Sequence, residues 1–267
     1  AKPCPTELLY PILRQKKSFF LHYKWNNWIK RGRTSENERK GKLFQKNFRK
    51  GVAMFDKMLY NSQVLANIVR ILEEDMEALK EAIRREGVGI GTDVVKVDSF
   101  LNHRIDVALS TKMGQTFHEA FKDEKVDCIL TVEASGIAVA ITTAQAFGNV
   151  PVVFAKKGDH RNVGHDVYTA QVYSFTHQKM NTVRVSRKYL QKGMRVLIVD
   201  DFLANGEAIE GLRSILRQAE CELVGAGVCV EKGFQPGGEK LRREGMKVVS
   251  LAIVDAIEDG NIILRDD

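Results

Sequence analysis

The chain has 267 residues, 44% of them hydrophobic, enough to bury one good core and leave a small second unit. Its net charge of +7 points towards nucleic acid until the distribution is read: residues 1–75 hold 16 Lys and Arg against 7 Asp and Glu, whereas residues 76–267 hold 25 against 27. No apolar run approaches the length of a membrane span, and Cys4, Cys128, Cys221 and Cys229 form no C-x-x-C pair, which argues against a membrane helix, a disulfide frame and a zinc site and for a reduced, cytoplasmic protein.

Residues 1–75 carry the whole positive excess and both tryptophans, Trp25 and Trp28, without a clear period. They read as an upstream extension of the gene rather than a module, with 76–267 as the working domain. A helical stripe nevertheless crosses that boundary. Leu65, Ile68, Leu72, Met76, Leu79 and Ile83 step by three or four, and Gly87 stands as the C′ residue that ends the helix. Gly87-Val-Gly-Ile-Gly91 follows a helix instead of a strand and lacks the spacing of a dinucleotide fingerprint.

From Val126 onward the pattern predicts strand 126–132, helix 136–147, strand 150–155, a polar stretch over 156–170 and apolar segments at 171–175 and 182–185. Strand 195–199, helix 207–219 and strands 223–230 and 247–252 follow. Strands that alternate with helices argue for an α/β fold with a mostly parallel sheet covered on both faces. Ligands of such sheets gather at the carboxyl ends of the strands. His160 and His165 lie five apart in the polar stretch, and neither they nor His103 and His118 show zinc spacing.

The segment VLIVDDFLANGEA, 196–208, states a chemistry. Its apolar start suits a strand buried on both faces, and Asp200 and Asp201 end it. Ala204, Asn205 and Gly206 then offer a tight turn before the helix. Free backbone N–H groups and the helix dipole both point at that turn, which makes it an anion cup. Two carboxylates beside such a cup suit the hydroxyls of a sugar, or a metal ion that offsets phosphate charge.

V-L-I-V-D-D-x-x-A-x-G-x-A resembles the phosphoribosyl diphosphate (PRPP) signature of the type I phosphoribosyltransferases. KVDSFLNHRID at 96–106, VEASGIA at 132–138, PVVFAKK at 151–157, VYSFTH at 172–177 and EKGFQPG at 231–237 occur in order with it. Together they resemble the bacterial xanthine phosphoribosyltransferases over 76–267. The resemblance implies the type I phosphoribosyltransferase fold, with a small base-binding hood and a flexible lid loop over 156–175. It implies a cytoplasmic homodimer that transfers the phosphoribosyl group of PRPP to xanthine with Mg²⁺, giving xanthosine 5′-monophosphate (XMP) and diphosphate in purine salvage.

On that resemblance Asp200 and Asp201 serve the ribose hydroxyls, directly or through Mg²⁺ and water, and no direct metal ligand is assigned. Ala204, Asn205, Gly206, Glu207 and Ala208 wrap the 5′-phosphate. Ala134, Ser135 and Gly136 hold the diphosphate, with Ser135 also capping the next helix. Val95, Asn102, Lys232 and Phe234 form the xanthine site, and Lys156, Lys157 and Tyr173 belong to the lid or sheet edge. Two departures stand out. Glu207-Ala208 replaces the wider family's Gly-Gly-Thr type ending, which removes a hydroxyl donor, and Val95 stands where leucine is commoner. Xanthine carries a carbonyl where guanine carries its C2 amino group, so its site needs donors, and Asn102 and Lys232 supply them. The competing reading is a PRPP-sensing purine repressor with 1–75 as its DNA-binding module. No helix-turn-helix is found there, and nucleic acid is a partner only if that segment is a real module.

Overall fold

The structure, a computed structural model, describes residues 77–158, 166–174 and 179–266. The extension 1–75, the stripe from Leu65 to Met76, and His160 and His165 of the proposed lid lie outside the described residues. Helix α1 is described over 77–86, where Leu79 and Ile83 of the stripe are buried. The helix ends at Gly87 as expected, but not through a left-handed cap. A side chain at Gly87 would meet the Ile83 carbonyl at 2.4 Å and Ile262 Cδ1 at 2.9 Å, so close packing is what excludes it.

A two-stranded antiparallel hairpin follows, β1 (Val88–Ile90) and β2 (Val94–Lys96), then a π-helical turn, Asp98–Asn102. These two pieces are the hood. The main unit comprises α2 (Val107–Ala120), β3 (Cys128–Val132), α3 (Gly136–Ala146), β4 (Val152–Lys157), β5 (Val167–Ser174) and β6 (Lys179–Ser186). It continues through β7 (Arg195–Leu203), α4 (Glu207–Gln218), β8 (Glu222–Lys232), α5 (Gly237–Arg243), β9 (Val248–Glu258) and β10 (Asn261–Leu264). The sheet order is β10-β9-β8-β7-β3-β4-β6-β5. The strands from β9 to β4 run parallel, and antiparallel pairs close both ends.

Why β7 lies at the centre is visible in its side chains. Val196 and Ile198 pack into one core with Cys128, Leu130, Ile209, Leu212 and Ile215, while Leu197 and Val199 pack into the other with Ile129, Phe117 and Leu251. None of the four β7 residues is exposed at all. Successive strand side chains point to opposite faces, so a strand apolar at every position is stable only with both faces covered. Each such side chain stabilises the fold by roughly 1.5–3 kcal/mol on burial. Helix α4 covers one face with Ile209, Leu212, Ile215 and Leu216, the apolar stripe of an amphipathic helix. Helix α2 on the other face starts at Asp106, whose carboxylate accepts the Leu109 N–H at 3.0 Å.

Two expectations need correction. Strand β4 runs through Lys157 and β5 begins at Val167, so the polar stretch is shorter than 156–170. Lys156 and Lys157 are drawn into the sheet by antiparallel pairing with Arg184 and Val183 of β6, and Tyr173 likewise sits in β5 opposite Met180. Residues 167–174 therefore form a sheet-edge ribbon and not a loop. Strand β7 also extends beyond Val199 to Leu203, because Asp200, Phe202 and Leu203 find partners in Val228, Val230 and Glu231.

Alternate glycines in β8 let α2 approach the sheet. A Cβ on Gly227 would lie 2.7 Å from Cδ1 of Phe117, itself fully buried. Gly227→Ala is therefore expected to cost about 1–3 kcal/mol through overpacking. Urea unfolding of the two proteins checks this, and an unchanged midpoint with unchanged slope would contradict it.

Candidate active site

The chain passes from β3 to β4 on one side of the sheet and from β7 through β8 to β9 on the other. The crevice between the carboxyl ends of β3 and β7 is therefore a topological switch point, where ligands of open α/β sheets bind. Residues 133–135 leave β3 and residues 204–206 leave β7 at this edge, each leading into a helix N-terminus. Residues 233–236 leave the neighbouring β8 on the same side.

Asp200 and Asp201 flank the crevice but are not equivalent. Asp200 is 4% exposed, and its Oδ1 accepts the backbone N–H of Asp201 at 3.0 Å. Burial, and then the neighbouring Asp201 charge, push the Asp200 carboxyl well above the usual aspartate range, with a backbone hydrogen bond and Lys157 opposing. Asp201 is half-buried and its Oδ2 accepts from Asn102 Nδ2 at 3.2 Å. The Asp200 side chain lies against the first residue of α3. A Cβ at Gly136 would come within 2.5 Å of Asp200 Oδ1 and 2.2 Å of Thr131 Oγ1, so only glycine brings this helix so close. Thr131 Oγ1 is buried with no hydrogen-bond partner among the described residues, and sequence reasoning did not single it out.

In the loop after β3, Ala134 is exposed and Ser135 half-buried, and the Glu133–Ala134 peptide is cis. Glu133 Oε1 accepts the Lys157 N–H at 2.6 Å, tying this loop to the end of β4. Ser135 does not cap α3 with its hydroxyl as expected. Its φ of −66° and ψ of −38° are already helical, whereas a capping side chain needs extended backbone to reach forward.

The turn after β7 rests on α5. Gly206 has φ +87°, a conformation that side-chain-bearing residues rarely adopt, and opens α4. The Ala204 carbonyl accepts the Gly237 N–H at 3.2 Å. Asn205 is half-buried, as are Glu207 and Ala208 in the first turn of α4. An acid there is favoured by the helix dipole.

On the hood side, Val95 is buried and Phe234 packs partly buried against the same core cluster. Lys232, the last residue of β8, donates from Nζ to the Asp93 carbonyl at 2.6 Å, linking sheet to hood. Its burial lowers the ammonium pKa, opposed by the charge of Asp93. Asn102 closes the π-helical turn. The expected residues of the 133–136, 200–208 and 232–234 segments thus gather at the carboxyl ends of β3, β7 and β8, and the hood meets them through the Asn102–Asp201 and Lys232–Asp93 hydrogen bonds.

Beneath Lys232 lies a group that sequence reasoning missed. Glu231 is 3% exposed, receives both guanidinium nitrogens of Arg242 at 2.8 and 2.6 Å, and accepts the Ser250 hydroxyl. Burial alone would raise its carboxyl, but the Arg242 and Ser250 hydrogen bonds outweigh that and bring it below the usual glutamate range. The available signal was the acid that ends the otherwise apolar LVGAGVCVE, 223–231.

Among the described residues no group of three or more His, Cys, Asp or Glu could cage a metal. Cys128 and Cys229 are buried free thiols and Cys221 is half-buried, with burial pushing the Cys128 thiol up to about 12. No helix among the described residues is long and apolar enough to cross a membrane.

Residues 96–260 match the phosphoribosyl transferase domain family. Xanthine phosphoribosyltransferase of Clostridioides difficile is 53% identical over 190 residues, covering 71% of this chain and 100% of that protein. Xanthine phosphoribosyltransferase of Alkaliphilus metalliredigens is 51% identical over 72% of this chain and 95% of its own length. The adenine phosphoribosyltransferase of Rhodothermus marinus shares the fold, with a TM-score of 0.55 at 20% identity over 68% of this chain and 99% of that one. With its signature at the switch-point crevice and its similarity running the full length of such relatives, the chain belongs to the phosphoribosyltransferase family and, within it, to the xanthine phosphoribosyltransferases.

Proposed function

We propose that the crevice between β3 and β7 transfers the 5-phosphoribosyl group from PRPP to xanthine, giving XMP and diphosphate. The observation that carries this reading is the convergence at one sheet edge of the α4 N-terminus, a carboxylate pair and a hood joined to that pair through Asn102 and Asp201. Residues Ala204 to Ala208 hold the 5′-phosphate on backbone N–H groups. Ala134, Ser135 and Gly136 hold the diphosphate, Asp201 with Asp200 the ribose hydroxyls, and Val95, Asn102, Lys232 and Phe234 the base.

The bond from ribose C1 to the diphosphate oxygen breaks and a bond from C1 to a purine nitrogen forms, with that nitrogen's proton passing to solvent. No covalent enzyme intermediate is needed. Rate enhancement comes from holding the two reactants in line and from backbone donors facing charge that develops on the leaving group. Asp201, with the buried Asp200 behind it, forms the carboxylate pair that would face a Mg²⁺ brought in with PRPP, directly or through water. When bound it neutralises charge on the departing diphosphate. The buried free thiols Cys128 and Cys229 support a reducing, cytoplasmic setting. Exposed Val107 and Ile141, on the packed helices α2 and α3, offer apolar surface for a homodimer. Residues 1–75 are read as an extension dispensable for this chemistry.

Steady-state assay of the full chain with PRPP, Mg²⁺ and xanthine, guanine, hypoxanthine or adenine is expected to show highest kcat/KM for xanthine. Preference for another base would overturn the substrate. Absence of turnover alongside salt-dependent duplex binding would favour the repressor.

Asp200 is retained at a cost to stability. A carboxyl whose folded pKa is raised contributes its stability fully below the unfolded value of 3.8 and loses it as pH rises through the folded pKa. Asp200→Asn is therefore expected to stabilise the ligand-free protein by about 1 kcal/mol at neutral pH, and to lower kcat roughly 10²-fold. Thermal unfolding across pH, paired with the assay, checks both. A variant no more stable at pH 8 than the parent would contradict the assignment of a burial cost to this carboxyl.

A further inference from the structure

Helix α5 has seven residues, and isolated helices shorter than about twelve are marginal in water, so its place is set by what it touches. Its first residue touches the turn after β7. The Gly237 N–H donates to the Ala204 carbonyl at 3.2 Å, and a Cβ at Gly237 would strike that carbonyl and lie 2.6 Å from Gly206 N. From the other side, a Cβ at Gly206 would lie 3.4 Å from Gly237 Cα and 3.7 Å from Cδ1 of Leu241, a buried residue of α5. The turn 204–206 therefore rests on this helix.

The same helix begins where the loop 233–236 ends. That loop is pinned at its start, where the Gly233 N–H donates to the Val254 carbonyl at 2.7 Å. It runs into α5 at Pro236, whose carbonyl accepts the Lys240 N–H at 2.9 Å. One short helix thus carries the phosphate turn at its side and the base loop at its head.

Glu231 holds that helix at both ends. It lies in β8, registered against Leu203, the last residue of β7, and against Ile253 of β9. A Cβ at Gly238, in the first turn of α5, would strike Glu231 Oε1 and lie 2.5 Å from its Cδ. Arg242, in the last turn, returns one guanidinium nitrogen to each carboxylate oxygen, at 2.8 and 2.6 Å. Ser250 of β9 accepts from Arg242 at 3.1 Å and donates its hydroxyl to Glu231. A bidentate pair of this kind fixes orientation as well as distance.

We propose that Glu231, acting through Arg242, is a positioning residue that fixes the 5′-phosphate turn and the base loop relative to each other. The inference rests on the reading that the turn holds the phosphate and the loop the base. The pair itself touches neither ligand. XMP spans both subsites and depends on their spacing, whereas ribose 5-phosphate occupies only the first. Once α5 loses its anchor it has more than one orientation. A ligand that bridges the two loops must then restore one of them, at a cost to its affinity.

The test measures the inhibition constants of XMP and of ribose 5-phosphate against PRPP in the full-chain enzyme, Glu231→Gln and Arg242→Lys. Gly227→Ala serves as a variant destabilised elsewhere in β8. An inhibition constant does not depend on how much of the enzyme is folded, so lost stability alone leaves the ratio of the two constants unchanged. Glu231→Gln keeps the shape but loses the charge and one acceptor oxygen, and Arg242→Lys keeps the charge but loses the fork. The preference for XMP over ribose 5-phosphate is expected to fall about tenfold in Glu231→Gln, the scale of one charge-assisted hydrogen bond, and less far in Arg242→Lys. Gly227→Ala is expected to keep the parent's ratio. Where Glu231→Gln is not recovered folded, Ser250→Ala removes one hydrogen bond from the same carboxylate and is expected to lower the preference by about threefold. Where turnover of a variant is too slow, dissociation constants from titration calorimetry give the same ratio.

An unchanged preference in both Glu231→Gln and Arg242→Lys would overturn the proposal and leave the pair as a contact of the fold alone. A fall of the same size in Gly227→Ala would overturn it as well, since any loosening of β8 would then suffice. A parent enzyme in which neither compound competes with PRPP would instead overturn the reading of the crevice on which the proposal stands.

Discussion

Everything at the active-site edge depends on β7 being buried on both faces. A central strand apolar at each of Val196, Leu197, Ile198 and Val199 fixes its own register between β3 and β8, because a slip of one residue would exchange two complete core faces. Two adjacent acids placed directly after that run inherit the alternation. Asp200 turns inward under the start of α3 and Asp201 is left accessible to the hood. The same strand that secures the fold therefore distributes one carboxylate to the interior and one to the crevice.

Polar groups are kept in the interior around this edge where an apolar core would be more stable. Asp200 is buried against a second acid, Thr131 Oγ1 has no partner among the described residues, and Glu231 is buried with Arg242 and Ser250. Their compensation differs. Glu231 receives charge-assisted hydrogen bonds just before Lys232, the last residue of β8, and the loop that carries Phe234, and loss of one partner would strand a buried charge. Asp200 accepts the Asp201 N–H but is buried against that residue's own carboxylate, with Lys157 the cation that opposes the cost, which is the pattern of a residue kept for function at the expense of stability.

Much of this was legible in the sequence, for identifiable reasons. The apolar run of β7, the small-residue turn and the amphipathic spacing of α4 are local signals, and each gave its element within a few residues. What remained hidden was decided by neighbours. Strand β7 continues past Val199 because β8 is there to pair with it, and β5 and β6 became a sheet-edge ribbon because β4 offers an edge. The three-residue strands of the hood carry too few residues for a period to show. Ser135 sits where a capping serine is common, yet its backbone is already helical, which no composition reveals. The Asn102–Asp201 and Lys232–Asp93 bonds span 99 and 139 positions, beyond any local pattern. The family resemblance supplied the candidate residues themselves, and the structure shows how the fold gathers them at one edge.

The most direct measurement is a crystal structure of the full chain with XMP and diphosphate. The 5′-phosphate is expected on the backbone of Ala204 to Ala208, the ribose hydroxyls against Asp201, the diphosphate on Ala134 to Gly136, and the purine between Phe234, Lys232 and Asn102. A nucleotide bound at another edge of the sheet, or with its base turned away from the hood, would contradict this assignment.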